Sequence, residues 1–459
     1  MCGLNNLHGC YRISILIIER PIYFMEKLNL CDELIMGYRR LTQFNKLNQF
    51  PYRTEKEIKA YQLKEIKKIL VDAYENVPFY HHLYKKAKID VYSINSFSDF
   101  ELVPTISKKD IIGNENAFLN RRYNVDELIL SRTSGTSGDF LNIYTPHEMF
   151  ITEELQVIRM IKEHYPQYTA FDSEVLVYTS EYPVSSILGF YRAYYINNLA
   201  NPREIFQFII DVRPTVLAIY PSILKEIVNE IEYEFSSLGL KLIILNSEQS
   251  TQAERNNYEN MFKCTVIDEF SSEELQSIAY QCNNKEYHEV SDCTYVELLQ
   301  TQSDKSVENN HLGEITGTCF MNHAMPFIRY RQGDYAYRKD KWDCKCGKHT
   351  KIIGDPQGRI NDSFIAADGT IIPSGKLLDW SYSLVLKDNY MLNTIRIIQE
   401  DYQSVRIMIS PELSIKERNG IIESFRSQFE NKFYVEIAII KEEDLLHERE
   451  LKSIVSKVR

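Results

Sequence analysis

A chain of 459 residues is too long for one compact core, so two or more domains of unequal size are expected. With 44% hydrophobic and 25% charged residues it reads as globular, and a net charge of -11 argues against a nucleic-acid surface. Nine cysteines, an odd number and mostly scattered, fit a reducing cytoplasm better than a disulfide framework, and no apolar run is long enough to span a bilayer.

Residues 1–24 differ in character from the chain beyond them and are expected to be an upstream-start extension, with leading helices filling residues 1–50. Over 55–87 the apolar residues Ile58, Tyr61, Leu63, Ile66, Ile69, Leu70 and Ala73 recur at helical spacing until Pro78 interrupts them, which predicts a long helix and a short one. Ser107-Lys108-Lys109-Asp110 reads as a capped helix start. Next comes Ser131-Arg132-Thr133-Ser134-Gly135-Thr136-Ser137-Gly138, between an apolar run and the strand-like Leu141-Asn142-Ile143-Tyr144. Glycines that admit positive φ, interleaved with hydroxyl side chains, let successive N–H groups line one concavity suited to polyphosphate. No Gly-Lys-Ser/Thr closes the loop, so it is not a Walker P-loop, and a plain turn is the competing reading.

A helix is expected over 145–164. Four short apolar strands come after it, at 174–178, 215–220, 240–246 and 264–268, the first three read as leading through loop residues into a helix. That alternation predicts a largely parallel, doubly wound α/β body with binding loops at the strand carboxyl ends. Beyond Gly358 the pattern changes to strands at 394–398, 404–409 and 435–440 and a helix at 414–429, a small α+β domain. The expected division is 1–50, 51–359 and 360–459.

Four stretches in register resemble the core motifs of the adenylate-forming superfamily, the acyl-CoA synthetase-like enzymes, and within it the phenylacetate-coenzyme A ligase branch and its capsule-biosynthesis homologues. They are Thr133-Ser134-Gly135-Thr136-Ser137-Gly138; Asn246-Ser247-Glu248-Gln249; Phe270-Ser271-Ser272-Glu273, similar to Tyr-Gly-x-Ser/Thr-Glu; and Arg329-Tyr330-Arg331-Gln332-Gly333-Asp334 with Gly358-Arg359-Ile360-Asn361-Asp362. The resemblance implies ATP-dependent activation of a carboxylic acid as an acyl-adenylate, then transfer to coenzyme A. It assigns the departing phosphates to the glycine-rich loop, Mg²⁺ to Glu273, adenine to Phe270, the ribose hydroxyls to Asp334, the ribose and α-phosphate to Arg359, and the acyl pocket to Glu248. Ser247, Ser271 and Ser272 fall within the implied ATP site. A rotating C-terminal domain is implied, with its hinge around Asn361 and Asp362, and a catalytic lysine near the chain end, for which Lys452 is chosen and Lys457 is the alternative.

Structural readings compete. Ser271 and Glu274 have capping-box spacing and could start a helix, Asp334 could be a turn carboxylate, and the basic chain end could be a helix terminus. Asp139 and Phe140 stand where many relatives carry Lys and Pro, Phe270-Ser271 replaces Tyr-Gly, Gln332 replaces Thr, and Leu451 replaces Gly. These departures keep a catalytically silent nucleotide-binding homologue in view, beside a ligase whose acceptor is an amine or hydroxyl in capsule or cofactor biosynthesis. The aromatic run 190–195 would suit an aryl acid or ordinary core. A homodimer is an open expectation.

Cys344-Lys345-Cys346-Gly347, with Cys282 and His288, could close a tetrahedral zinc site without an open position, a structural centre. Cys293 or His349 could replace a member. The comparable stretch of the phenylacetate ligase branch resembles this Cys…His…Cys-x-Cys-Gly.

Overall fold

The computed structural model describes residues 30–132, 140–179, 186, 189–339, 341–386, 390, 392, 394–440 and 453–458. The loop residues Thr133, Ser134, Gly135, Thr136, Ser137 and Gly138, the neighbouring Asp139, the lysine Lys452 with Leu451, and residues 1–24 lie outside that set.

The long helix Glu55–Asn76 starts on a capping box, in which the Glu57 carboxylate accepts the Thr54 N–H at 2.9 Å and the Thr54 hydroxyl accepts the Glu57 N–H at 3.3 Å. Ile58, Ile66, Ile69, Leu70 and Ala73 form its buried stripe, and Pro78 then takes the first position of Pro78–Ala87, where a missing N–H costs nothing.

Eight strands make one sheet, in the order Ile352–Ile353, Tyr287–Glu289, Gln276–Gln281, Thr265–Ser272, Leu242–Leu245, Val216–Ile219, Ser173–Tyr178 and Arg192–Asn197. From Thr265–Ser272 to Arg192–Asn197 every pairing is parallel. Val216–Ile219 and Leu242–Leu245 are buried at every position, as strands covered on both faces must be. Alternation divides their side chains. Val216, Ala218, Leu242 and Ile244 pack with Leu155 and Ile158 of His147–His164, whereas Leu217, Ile219, Ile243 and Leu245 pack against Pro202–Val212, Pro221–Glu230 and Gln252–Phe262.

The expected strand–helix alternation breaks at Thr265–Ser272. That strand runs past residue 268 and turns through residues 273–275 into the antiparallel Gln276–Gln281, so Ser271 and Glu274 start no helix. Ser272 Oγ instead accepts the Leu275 N–H at 3.1 Å and closes the turn.

A second sheet holds Ile106–Ser107, Tyr330–Tyr337, Leu312–Cys319 and Thr294–Leu299, and Pro356–Arg359 also pairs with Tyr330–Tyr337. Two of the three arginines of the fourth motif clamp it. Arg329, fully buried, donates Nε and Nη2 to Glu297 at 3.0 and 2.8 Å and Nη1 to the Glu101 carbonyl at 2.8 Å. Arg331 bonds the Thr105 hydroxyl at 3.1 Å and Asp304 at 3.0 Å.

The C-terminal part has its own core, built on Leu377, Trp380, Ile397, Ile407, Ile421 and Phe425. Its sheet runs in the order Tyr434–Ile439, Ser404–Ser410, Thr394–Gln399, Ile454–Ser456, with helices Ser374–Leu386 and Ile415–Gln428. Residues 454–456 therefore form a strand, parallel to Thr394–Gln399, and the reading as a basic helix terminus is overturned there. The large doubly wound body and smaller α+β portion anticipated from the sequence are both present.

Candidate active site

The described motif segments meet where strands of the two larger sheets end. Ser131 belongs to Ile129–Arg132, the strand that leads into the glycine-rich loop, and its hydroxyl donates to Glu273 in the turn after Thr265–Ser272. Glu273 reaches solvent, yet the protein massed around it raises its carboxyl above the ordinary range, against the pull of Ser131. The next residue, Glu274, is buried and accepts the Tyr330 hydroxyl at 2.9 Å.

Asp334 and Arg359 are cross-strand partners, with Arg359 Nε 3.3 Å from Asp334 Oδ1. Burial raises the Asp334 carboxyl and the guanidinium opposes it, while Asp334 in turn raises Arg359. Arg359 also donates to the Gln332 carbonyl at 3.2 Å. The carboxylate of Glu274 adds to the field at both Asp334 and Arg359, so three charged groups share one region. Asn361 and Asp362 come immediately after, in a single 3₁₀ turn.

The second motif is joined to this region by close packing. Gln249 donates to the Pro356 carbonyl at 3.2 Å. A Cβ on Gly358, whose φ is +81°, would lie 2.1 Å from Ser374 Oγ and 2.5 Å from Gln249 Oε1, so both conformation and space demand glycine. Ser247 takes φ of +64° at the strand end. Glu248 accepts the Ser222 N–H at 2.9 Å and hydroxyl at 3.0 Å, where a carboxylate caps the helix Pro221–Glu230. Phe270 is half-buried and packs on the cluster that includes Ile278 and Tyr330. Ser271 donates to Glu269 at 2.9 Å, and Ser277 does so at 3.0 Å. Burial pushes the Glu269 carboxyl up to about 7.

The Cys/His set also converges. The donor atoms of Cys282, His288, Cys344 and Cys346 all lie within 4.8 Å of one another. Cys282 Sγ is 3.8 Å from Cys344 Sγ, and Cys346 Sγ is 3.4 Å from His288 Nε2. His288 Nδ1 lies 3.2 Å from the Thr350 carbonyl, which places the proton there and leaves the Nε2 lone pair towards the sulfurs. Burial, aided by the Lys348 ammonium, lowers His288 to about 4 and keeps it neutral. Cys293 lies elsewhere, beside Asp292, and His349 is drawn to Asp343 at 3.3 Å, so neither joins the four.

Three known proteins match over most of their length. Phenylacetate-coenzyme A ligase of Aromatoleum evansii is 23% identical over 377 residues, covering 79% of this chain and 84% of that protein. Protein CapK of Staphylococcus aureus is 22% identical over 392 residues, covering 78% and 82%. The structure of 2-hydroxyisobutyryl-CoA ligase in the postadenylation state in complex with 2-HIB-AMP superposes with a TM-score of 0.73 at 17% identity, over 90% of this chain and 91% of that one. No protein-family model matches the sequence. The chain is thus similar in sequence to phenylacetate-coenzyme A ligases and to CapK, and it shares its fold with an acyl-CoA ligase.

Two residues of the site are not singled out by the motifs alone. Glu274 is hidden by the Glu273-Glu274 doublet. The five-position pattern Tyr-Gly-x-Ser/Thr-Glu, counted from Phe270, ends on Glu274 rather than Glu273, and that count was the available signal. Glu269 had no signal beyond an acidic residue in an apolar strand, a local conflict of the kind that marks functional positions.

Proposed function

We propose that this adenylate-forming protein joins a carboxylic acid to ATP as an acyl-adenylate, releases pyrophosphate, and passes the acyl group to coenzyme A. The observation that carries the reading is the meeting of Glu273, Glu274, Asp334 and Arg359 beside the strand that enters the glycine-rich loop. In-line attack of a carboxylate oxygen on the α-phosphorus crowds negative charge onto the phosphoryl oxygens, and fixed donors lower that barrier, by roughly 3–4 kcal/mol each. Arg359 is the donor for the α-phosphate and ribose. Asp334 exchanges its contact with Arg359 for the two ribose hydroxyls, and Phe270 stacks on adenine. Residues 133–138 hold the leaving phosphates through backbone N–H groups, with Ser247, Ser271 and Ser272 alongside.

Glu273 is the carboxylate for ATP-bound Mg²⁺, being exposed and turned towards the loop-bearing strand, with Glu274 behind it as the competing ligand. When bound, that ion neutralises charge on the phosphates while keeping several waters. Lys452 reaches the carboxylate and α-phosphate when the C-terminal part turns about residues 359–362, and Lys457 is its alternative. In the described structure Lys457 is paired with Glu400, which favours Lys452.

The four Cys/His residues suit a structural zinc ion. Bonds of about 2.3 Å to sulfur in a tetrahedron put sulfurs roughly 3.8 Å apart, the spacing of Cys282 and Cys344. Such an ion would fasten the 344–346 loop to the strands behind Glu273. Thiols of this kind, none of them in a disulfide among the described residues, support a cytoplasmic site of action. No helix among the described residues is long and apolar enough to cross a membrane.

The likeness to CapK favours one second reading, in which the activated acyl group goes to an amine or hydroxyl of a capsule precursor. Mg-ATP-dependent pyrophosphate release, measured with a panel of acids and with coenzyme A added or withheld, separates the two. Stimulation by coenzyme A supports the ligase. Release indifferent to it supports the other acceptor, and silence with every acid despite ATP binding supports a silent homologue.

A further inference from the structure

We propose that the acyl pocket selects a carboxylic acid that carries an amino group, and that Glu269 is the side chain that receives it. The proposal rests on the ligase reading and names its substrate class.

Open α/β sheets bind ligands in the crevice outside the carboxyl ends of their parallel strands. At those ends four neighbouring strands present Tyr178, Tyr220, Asn246 and Glu269. Asn246 Nδ2 bonds the Tyr178 hydroxyl, the Tyr178 and Tyr220 rings meet edge to face at 5.9 Å, and the Tyr220 hydroxyl is 3.4 Å from Thr179 Oγ1. The Tyr178 hydroxyl in turn lies in the field of Glu269. This is a polar wall, unlike the lining an unsubstituted hydrocarbon acid would want.

Glu269 is its incomplete member. A carboxylate offers about four acceptor sites, and among the described residues only the hydroxyls of Ser271 and Ser277 use them, at 2.9 and 3.0 Å. Among the described residues no lysine or arginine pairs with it. The half-buried carboxyl is correspondingly raised by the protein around it, with no cation beside it among the described residues to oppose the shift. An apolar acyl group closing the crevice would strip water from Glu269 and return nothing. An ammonium or aryl-amine N–H supplies the missing donor, and the two tyrosine rings offer faces to a cation. A site built to hydrogen-bond a substrate group rejects the analogue lacking it far more strongly than an apolar pocket rejects a missing methylene, so a preference of about 10²-fold or more is expected.

The test pairs acids of matched shape, 4-aminobenzoate with 4-methylbenzoate and 3-aminopropanoate with butanoate. Binding of each labelled acid to the full chain is measured by equilibrium dialysis, with pyrophosphate release monitored in parallel. Wild type should favour the amino member of at least one pair by about 10²-fold, and Glu269→Gln, which keeps the shape of the side chain, should bring the two members to within a few-fold. Equal or better binding of the methyl member in both pairs overturns the proposal, as does a preference that Glu269→Gln leaves intact. Should that variant not fold, the wild-type preference alone decides. Selective binding without pyrophosphate release upholds the amino-acid pocket and removes the ligase reading. Pyrophosphate release on the methyl members, unchanged by Glu269→Gln, does the reverse.

Discussion

Replacing Asp292 by Ala should destabilise the protein by about 3–5 kcal/mol, because it strands a buried cation. Arg159 in His147–His164 meets Asp292 in a two-pronged contact, Nη1 to Oδ2 at 2.7 Å and Nη2 to Oδ1 at 3.0 Å, with the side chains 3% and 5% exposed. After truncation the guanidinium keeps its bond to the Leu47 carbonyl at 3.0 Å, which offsets its burial only in part. Over the roughly 330 residues of the larger body, an unfolding entropy near 2.1 cal/mol/K per residue converts ~4 kcal/mol into a Tm drop of ~6 °C. Arg159→Met with Asp292→Ala removes both charges. The double variant should therefore lose no more than either single, giving a coupling energy of at least ~3 kcal/mol. Thermal unfolding monitored by circular dichroism on the four members of the cycle reads this directly. Single variants that lose under ~1 kcal/mol, or a double variant that loses the sum of the singles, would refute the reasoning.

Glu174, buried with one carboxylate oxygen unpartnered, is pushed by burial from an ordinary 4.5 up to about 7. The folded state keeps a proton that the unfolded state has released, so this group costs stability as pH rises from about 4.5 to about 7. Glu174→Gln should therefore gain on wild type across that window, by up to ~1.4 kcal/mol per pH unit, and parallel pH profiles of Tm would contradict it. Purified protein should contain about one zinc per chain, and Cys344→Ser should lower Tm while leaving ATP affinity within about twofold; metal analysis without zinc removes that centre. Glu273→Gln and Glu274→Gln assign the magnesium ion. The variant with the raised Mg²⁺ requirement in pyrophosphate release marks the ligand, and equal requirements would mean that neither carboxylate binds it.

Much of the body was legible because its strands are apolar throughout. The buried runs 216–219 and 242–245 admit no other reading once helices of 3.6-residue period flank them. The second sheet was not legible, because its strands carry the mixed composition of clamps and site residues. Arg329 and Arg331 stand in the motif without a role of their own, and only long-range pairing with Glu297 and Asp304 shows that they hold the sheet. Helix Ser374–Leu386 escaped notice because Pro373 and Gly375 read as a turn, while Gly375 is needed for close packing on Gln249. The four clustered Cys and His residues could be named from spacing, but excluding Cys293 and His349 required the partners Asp292 and Asp343. The Glu273-Glu274 doublet shows the limit of a short motif: a shift of one position changes the side chain chosen, and burial with Tyr330 is a long-range property.

The central claim, a carboxylate attacking the α-phosphorus of ATP, is tested most directly by isotope transfer. An acid labelled with oxygen-18 in its carboxylate is turned over with Mg-ATP and coenzyme A, and the nucleotide product is analysed by mass spectrometry. The account predicts one labelled oxygen in AMP, since cleavage of the acyl-adenylate leaves a carboxylate oxygen on the phosphorus. Unlabelled AMP, or ADP with labelled phosphate, would contradict it.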